Sequence, residues 1–312
     1  ATGYDKYYPK TKAGLVEFED GTTVEAHKAD ITTENGKHGI RFFEDKLEVK
    51  DNGDWVKLFD KADPSSWEGV QYIVRSGLAN DYFSIGDQFV SEYDGGEIIW
   101  EVIGIDVDIP ADANYTHSMT LQTRNCLHDI QFDAPEPSNP NSDRKDYGNN
   151  RYIHSAVRQW LNSNQPAFVW KSQHSYDATP TDSLDLYNGA GFLYRLDPEL
   201  VSVLGAVNKK VAKADADGGG QDTFSDKVFL LSRVEVGLGE EGNVAGEFVY
   251  PYYSGIENAG RIKTLDGSPR DWWLRSPNVS DSSNVRRVST SGADNHHRAR
   301  YEAGLSPACV IV

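Results

Sequence analysis

The sequence predicts an α+β protein with two main helices, short antiparallel or mixed strands and a small β-rich module at its amino end. Three observations carry that expectation. Amphipathic helical stripes occur clearly at only two places, whereas short apolar stretches broken by turn residues recur throughout. Seven Trp and sixteen Tyr in 312 residues favour strands and binding surfaces over long helices. No internal repeat or heptad is visible, and the tally of two clear helices, many short strands and long loops means α+β. A chain of this length buries a substantial core as one large domain with an appendage, or as two domains.

Taken in order, residues 1–62 read as a separate β-rich attachment or oligomerisation module. Asp20-Gly21, between the apolar alternations of Gly14–Val24, signals a hairpin. Gly39–Phe43, Lys46–Val49 and Trp55–Leu58 are strand-like, with a turn at Asp51-Asn52-Gly53. Such short strands bury little core alone, so a homo-oligomer formed through this module is expected. Residues 63–312 form the second domain. Asp63-Pro64-Ser65-Ser66 opens a helix capped by Ser65 or Ser66, with Trp67, Val70, Ile73 and Val74 on one stripe and Gly77 at its end. Two strands joined at Gly95-Gly96 follow, the second being the nearly continuous apolar run Glu97–Ile105, and Thr116–Leu127 reads as another strand. Glu136–Asn150, rich in Pro, Asn, Ser and Asp, reads as a surface loop. Ile153, Val157, Trp160 and Leu161 mark the second helix, starting after Asn149-Asn150. Pro198–Ala206 reads as a short helix, and Lys209–Ala214 and Lys227–Ser232 as strands separated by a mobile Gly-Asp loop, Asp215–Asp222.

The carboxyl end is the most informative region. An apolar lead-in, Trp272-Trp273-Leu274-Arg275-Ser276-Pro277, precedes a polar run from Asn278 to Ala303, and Gly304-Leu305-Ser306-Pro307-Ala308-Cys309-Val310-Ile311-Val312 closes the chain. Isolated, such a polar run reads as disordered. Between two segments that demand burial, it reads as side chains presented by a fixed frame. Val285, Val288, Ala293 and Ala299 are its anchors, and Trp272, Trp273 and Leu274 are core. The run carries four Arg and three acids, a net of +1, so the remaining 27 basic and 45 acidic residues leave −18 on the body. Arg, His and Tyr on such a patch offer flat stacking area together with hydrogen bonds.

These segments resemble the carboxyl-terminal signature of C-type-lectin-fold proteins and, more narrowly, the variable proteins of diversity-generating retroelements in gut bacteria and their phages. Trp67–Ala79, Tyr147-Gly148-Asn149-Asn150-Arg151-Tyr152 and Phe229–Gly237 add to the likeness, which spans roughly residues 65–312. The resemblance implies a C-type-lectin-like domain with a variable region at about 278–303. In such systems a reverse transcriptase randomises template adenines, often in Asn-type codons, which yields Ser, Arg, His, Tyr, Asp or Gly but not Lys, Gln, Glu, Met or Trp. Between Asn278 and Ala303 there is no Lys, Gln, Met or Trp, and Glu302 is the only exception. The ligand-contacting positions so implied are Ser280, Asp281, Ser282, Ser283, Asn284, Arg287, Ser289, Asp294, Asn295, His296, His297, Arg298, Arg300, Tyr301 and Glu302. The implied role is non-enzymatic binding of a bacterial surface protein or glycan, from a phage virion or a bacterial cell surface. The alternatives are a virion assembly protein decorated by a lectin-like domain, and an oxidase-type enzyme of the same fold using Cys309.

Composition narrows the partners. A net charge of −17 excludes nucleic acid as the main partner, because a phosphate backbone needs a basic face. No apolar stretch approaches the ~20 residues that span a bilayer, so no membrane insertion is expected, and no secretory leader is visible, although the chain begins at Ala1. Two cysteines, Cys126 and Cys309, cannot build a disulfide framework and read as buried thiols, with a single bridge the alternative. No cofactor and no metal are expected. His296 and His297 are adjacent on a strand and point to opposite faces, which makes a poor chelate. Asp215, Asp217 and Asp222 around Gly218-Gly219-Gly220 lack the spacing of a calcium loop and its terminal Glu. Asn114-Tyr115-Thr116 and Asn278-Val279-Ser280 match the glycosylation pattern but are expected to be unmodified. No spacing selects a carboxylate pair for glycoside cleavage.

Overall fold

The computed structural model describes residues 62–312 in full and, within residues 1–61, the backbone of six strands. The chain divides into two compact units, residues 1–73 and 74–312.

In the first unit, β1 (Tyr8–Pro9) pairs antiparallel with β2 (Val16–Glu17). The strands β3 (Asp30–Thr32), β4 (Gly39–Phe43), β5 (Lys46–Asp51) and β6 (Asp54–Asp60) form an antiparallel sheet in sequence order. The last three match the sequence reading, including the turn that pairs Asp51 with Asp54. The expected Asp20-Gly21 turn lies outside the described residues. Helix α1 (Trp67–Arg75) begins as expected: the Ser66 hydroxyl accepts from the Gly69 amide at 3.1 Å. Gly77 follows its end at φ +71°, a conformation that costs glycine nothing.

The second unit continues with α2 (Ala79–Tyr82), β7 (Gln88–Tyr93), β8 (Gly96–Ile105), β9 (Met119–Thr123), β10 (Asp129–Gln131), α3 (Ser142–Tyr147) and α4 (Ala156–Leu161). Next come α5 (Leu184–Tyr187), α6 (Phe192–Arg195), α7 (Pro198–Val203), β11 (Val207–Ala212), β12 (Gln221–Asp226), β13 (Val228–Phe229), β14 (Lys263–Leu265) and β15 (Ser268–Arg270). The unit closes with β16 (Trp272–Pro277), β17 (Asn284–Val288), β18 (Asp294–Arg298), β19 (Glu302–Gly304) and β20 (Ala308–Ile311). The class is α+β, dominated by sheet. Two five-stranded sheets, β13-β20-β9-β8-β7 and β10-β19-β16-β17-β18, hold most strands, and β11-β12 and β14-β15 are separate hairpins. Among the described residues no helix is long and apolar enough to cross a membrane.

Central strands explain the apolar runs. Every residue of β9, β16 and β20 is buried, as is β8 from Trp100 to Gly104, so these strands do not alternate. Trp272 and Trp273 are core, as expected, and their indoles donate to the carbonyls of Arg261 and Ile130 at 3.0 and 2.8 Å. Each such side chain contributes about 1.5–3 kcal/mol through burial. Phe132 meets Trp273 edge-on at 5.7 Å.

Several expectations need correction. The β7–β8 turn is Asp94-Gly95, both at positive φ, because Tyr93 pairs with Gly96. Glu136–Asn150 is not a surface loop. It contains α3, capped where Asn141 accepts from the amides of Asp143 and Arg144, and it buries Glu136, Arg144, Asn149 and Asn150. The second helix starts later than expected, at Ala156, capped by Ser155. Asp215–Asp222 is not a free Gly-Asp loop either. Asp217 is held by Arg144 at 2.6 Å and Asp222 by Arg151 at 2.7 Å, and Gln221–Asp226 is a strand paired with β11. Of Lys227–Ser232, only Val228–Phe229 is strand.

Candidate functional site

The polar run folds as a hairpin, β17 and β18, at the end of one sheet, with β18 as the outer strand. The pairing places Asn284, Arg286, Val288, Asp294, His296 and Arg298 on one face and Val285, Arg287, Asn295 and His297 on the other.

What fixes the hairpin lies beneath and before it. Val285, Val288 and Ala299 are fully buried, as expected of anchors, whereas Ala293 is only half-buried. The side-chain amide of Asn150 donates to the carbonyls of Asp281 at 2.7 Å, Asn284 at 3.0 Å and Asn278 at 3.3 Å, clamping the loop that leads into β17. Arg144 adds a bond from its Nε to the Ser282 carbonyl at 3.1 Å. Asp281 accepts from the amides of Ser283 and Asn284 at 2.7 and 2.8 Å. Partial burial disfavours its charge, but these amides outweigh burial and hold the carboxyl below its usual range.

The fifteen implied positions therefore separate. Ser282 and Ser283 are buried and Asp281 is spent on the turn, so burial and backbone bonding remove these three from any outward-facing set. Asn284 and Ser289 are half-buried at the two ends of β17. Arg287 is tied to Asp271 at 2.6 Å and Asp294 to Arg233 at 3.0 Å. Ser280, Asn295, His296, Tyr301 and Glu302 are exposed, and His297, Arg298 and Arg300 are half-buried.

The outward residues form stacks. The His297 ring lies against Tyr301 at 4.7 Å, nearly parallel at 16°, and burial followed by the nearby Arg287 charge lowers the His297 pKa. The Arg300 guanidinium sits 5.5 Å from the Tyr301 ring. On the other face Arg298 covers the Tyr147 ring at 3.4 Å and approaches Asp143 at 3.7 Å. Sequence reading missed Tyr147 as part of this surface; its place in the Tyr147–Tyr152 segment was the available signal. It also missed Arg286, which is bound to Glu241 at 2.5 Å and is a support rather than a contact. Glu302 accepts from the Ser183 hydroxyl beside a depression of about 510 Å³ lined in part by His128 and Asp129.

A buried ionic cluster lies under the frame. Arg275 donates to Glu235, and to Glu247 at 3.1 Å; Lys209 meets Glu235 at 2.5 Å and Asp108 at 2.8 Å. The cluster borders a cleft of about 600 Å³. Cys126 and Cys309 are buried free thiols. Burial pushes the Cys126 thiol up to about 12 and raises that of Cys309 also, which disfavours the thiolate at both.

The second unit is thus an α+β domain that carries a polar, aromatic hairpin on a buried frame. Residues 117–312 match the family described as Domain of unknown function (DUF6273), and the chain belongs to that family. No curated protein and no solved structure matches the chain.

Proposed function

We propose that the second unit is a non-enzymatic ligand-binding domain of C-type-lectin-like architecture, diversified by a retroelement within about residues 278–303. Residues 1–62 would attach or oligomerise it on a phage particle or a bacterial cell surface. Its partner would be a bacterial surface protein or glycan. The observation that carries this reading is the separation within one short run: Val285, Val288, Ala299 and Ser283 are buried, whereas Asn295, His296, Tyr301 and Glu302 face solvent. A frame already held in place loses little entropy on binding, so exchanging the outward side chains changes the partner without refolding.

The test exchanges Ser280, Asn295, His296, His297, Arg298, Arg300 and Tyr301 together for other residues reachable from Asn-type codons. Surface substitutions change stability by about 0.5 kcal/mol each or less, and a unit of this size shifts by about 2–4 °C per kcal/mol. Seven such changes sum to at most about 3.5 kcal/mol, so variants melting within about 14 °C of the parent, with altered binding to panels of bacterial surface proteins and glycans, are expected. Broad unfolding across the set, or unchanged binding, would refute the proposal. Beside the gene, a near-copy of these codons differing at adenines is expected next to a reverse transcriptase.

A further inference from the structure

Between α4 and α5 the chain runs through residues 162–183 without helix or strand, and its middle closes over Glu136. The ring of His174 has its Nδ1 2.7 Å from the Ser175 carbonyl, so in the neutral ring Nδ1 carries the proton and Nε2 presents a lone pair. That lone pair faces Glu136 Oε1 at 3.3 Å and Asp177 Oδ1 at 4.0 Å. Both carboxylates are desolvated: the Glu136 and Asp177 side chains are 0% and 1% exposed. Asp177 Oδ2 accepts from the Gln173 amide at 2.7 Å, and Glu136 Oε1 accepts from Asn149 at 3.0 Å. Among the described residues, His174 Nε2 and Asp177 Oδ1 have no hydrogen-bond partner.

Three lone-pair donors thus converge within 4.8 Å, two on carboxylate side chains nearly closed to solvent and one on His174, whose side chain is 17% exposed. Buried polar atoms without partners cost roughly 1–3 kcal/mol each, and a cation among them removes that cost. One imidazole with two carboxylates suits a zinc-class transition ion, whereas calcium and magnesium take oxygen donors. Donors about 2.0–2.2 Å from a tetrahedral ion lie roughly 3.3 Å apart. The Nε2–Oε1 separation of 3.3 Å already meets that spacing, and the Nε2–Oδ1 separation of 4.0 Å exceeds it by less than 1 Å.

We propose that Glu136, His174 and Asp177 form a binding site for one divalent transition-metal ion, which pins the 162–183 segment to the frame. No local spacing marks the site, because Glu136 lies far along the chain from His174 and Asp177. The site also bears on the hairpin. Glu136 accepts from Asn149, and the adjacent Asn150 clamps the loop into β17, so the ion would stiffen the base of the outward-facing surface.

The test uses the full chain, stripped by a chelator and titrated with Zn²⁺ by calorimetry and with Co²⁺ by visible absorption. The expected result is one ion per chain, a rise in melting temperature on saturation, and no displacement by excess Ca²⁺ or Mg²⁺. His174→Ala and Asp177→Asn should each weaken Zn²⁺ binding at least about tenfold, since even outer-shell losses cost that much, while His117→Ala leaves it intact. Glu136→Gln serves as a third, near-isosteric variant, and circular dichroism reports whether each variant folds. Absence of saturable binding in the parent chain, displacement by Ca²⁺, or parental affinity in folded His174→Ala and Asp177→Asn would overturn the assignment. An imidazolium alone among the carboxylates would give the first of these outcomes.

Discussion

Replacing Arg275 by Met tests whether the buried ions hold the frame. The Arg275 side chain is 0% exposed and donates to Glu235 at 2.8 Å through one nitrogen and to Glu247 at 3.1 Å. It also donates to the carbonyls of Leu230 and Lys210 at 2.9 and 3.1 Å. Without it, Asp108, Glu235 and Glu247 share Lys209 as their cation. Removing one partner of a buried pair costs about 3–5 kcal/mol. The pH dependence sharpens the test. Burial works against the Glu235 charge, but Arg275 and then Lys209 overcome it and hold the carboxyl down to about 2, against 4.5 ordinarily. The folded value lies below the unfolded one, so this stabilisation is complete above the unfolded pKa and is lost as pH falls toward the folded one. At 1.36 kcal/mol per unit, the native chain loses about 2 kcal/mol from this group on going to about pH 3. The Met variant, lacking the main counter-charge, loses much less. Urea unfolding at about pH 7 should show the variant less stable by about 3–5 kcal/mol, with the gap narrowing by about 2 near pH 3. A gap under about 1 kcal/mol at neutral pH, or one that fails to narrow in acid, would refute the reasoning.

A Cβ at Gly292 would lie 1.7 Å from the Asn258 carbonyl oxygen at φ +77°, whereas one at Gly255, φ +72°, meets nothing within 4 Å. Gly255→Ala should cost about 1–2 kcal/mol and Gly292→Ala at least twice that in thermal melts; equal costs would sink this comparison. Asn150→Asp replaces a donor by a carboxylate facing three carbonyls and should cost about 2–3 kcal/mol, with faster amide exchange at Asn278 and Asn284. Neither Cys126 nor Cys309 should react with a disulfide reagent in the folded chain at about pH 8, while both react in denaturant. Rapid labelling of Cys309 would instead revive the oxidase alternative.

Legibility in the sequence followed the range of the determining contacts. Glu97–Ile105 was readable as a strand because one buried on both faces over much of its length writes a nearly continuous apolar run, and the core place of Trp272, Trp273 and Leu274 was readable from their apolar character. The Ser66 cap and the Gly77 stop were readable because their partners lie within three residues. Glu136–Asn150 was misread because its polar residues look alike whether solvated or paired. Arg144 meets Asp217 73 positions away and the Ser282 carbonyl 138 positions away, and no local pattern encodes either. Within the hairpin the anchors Val285, Val288 and Ala299 were plain from their apolar character. The burial of Ser282 and Ser283 was not, because Asn150 and Asp281 impose it through backbone bonds that serine composition does not reveal.

The placement of β20 between β13 and β9 has a consequence for synthesis. Residues 308–311 are translated after the strands they join, so the sheet that holds Trp100 and Leu121 stays split until they emerge from the ribosome. Nascent chains of the second unit must wait with apolar strands exposed, a state prone to aggregation. A ribosome-bound chain halted at residue 300 should accordingly yield no protease-resistant second unit, and a resistant fragment would argue that an incomplete sheet suffices.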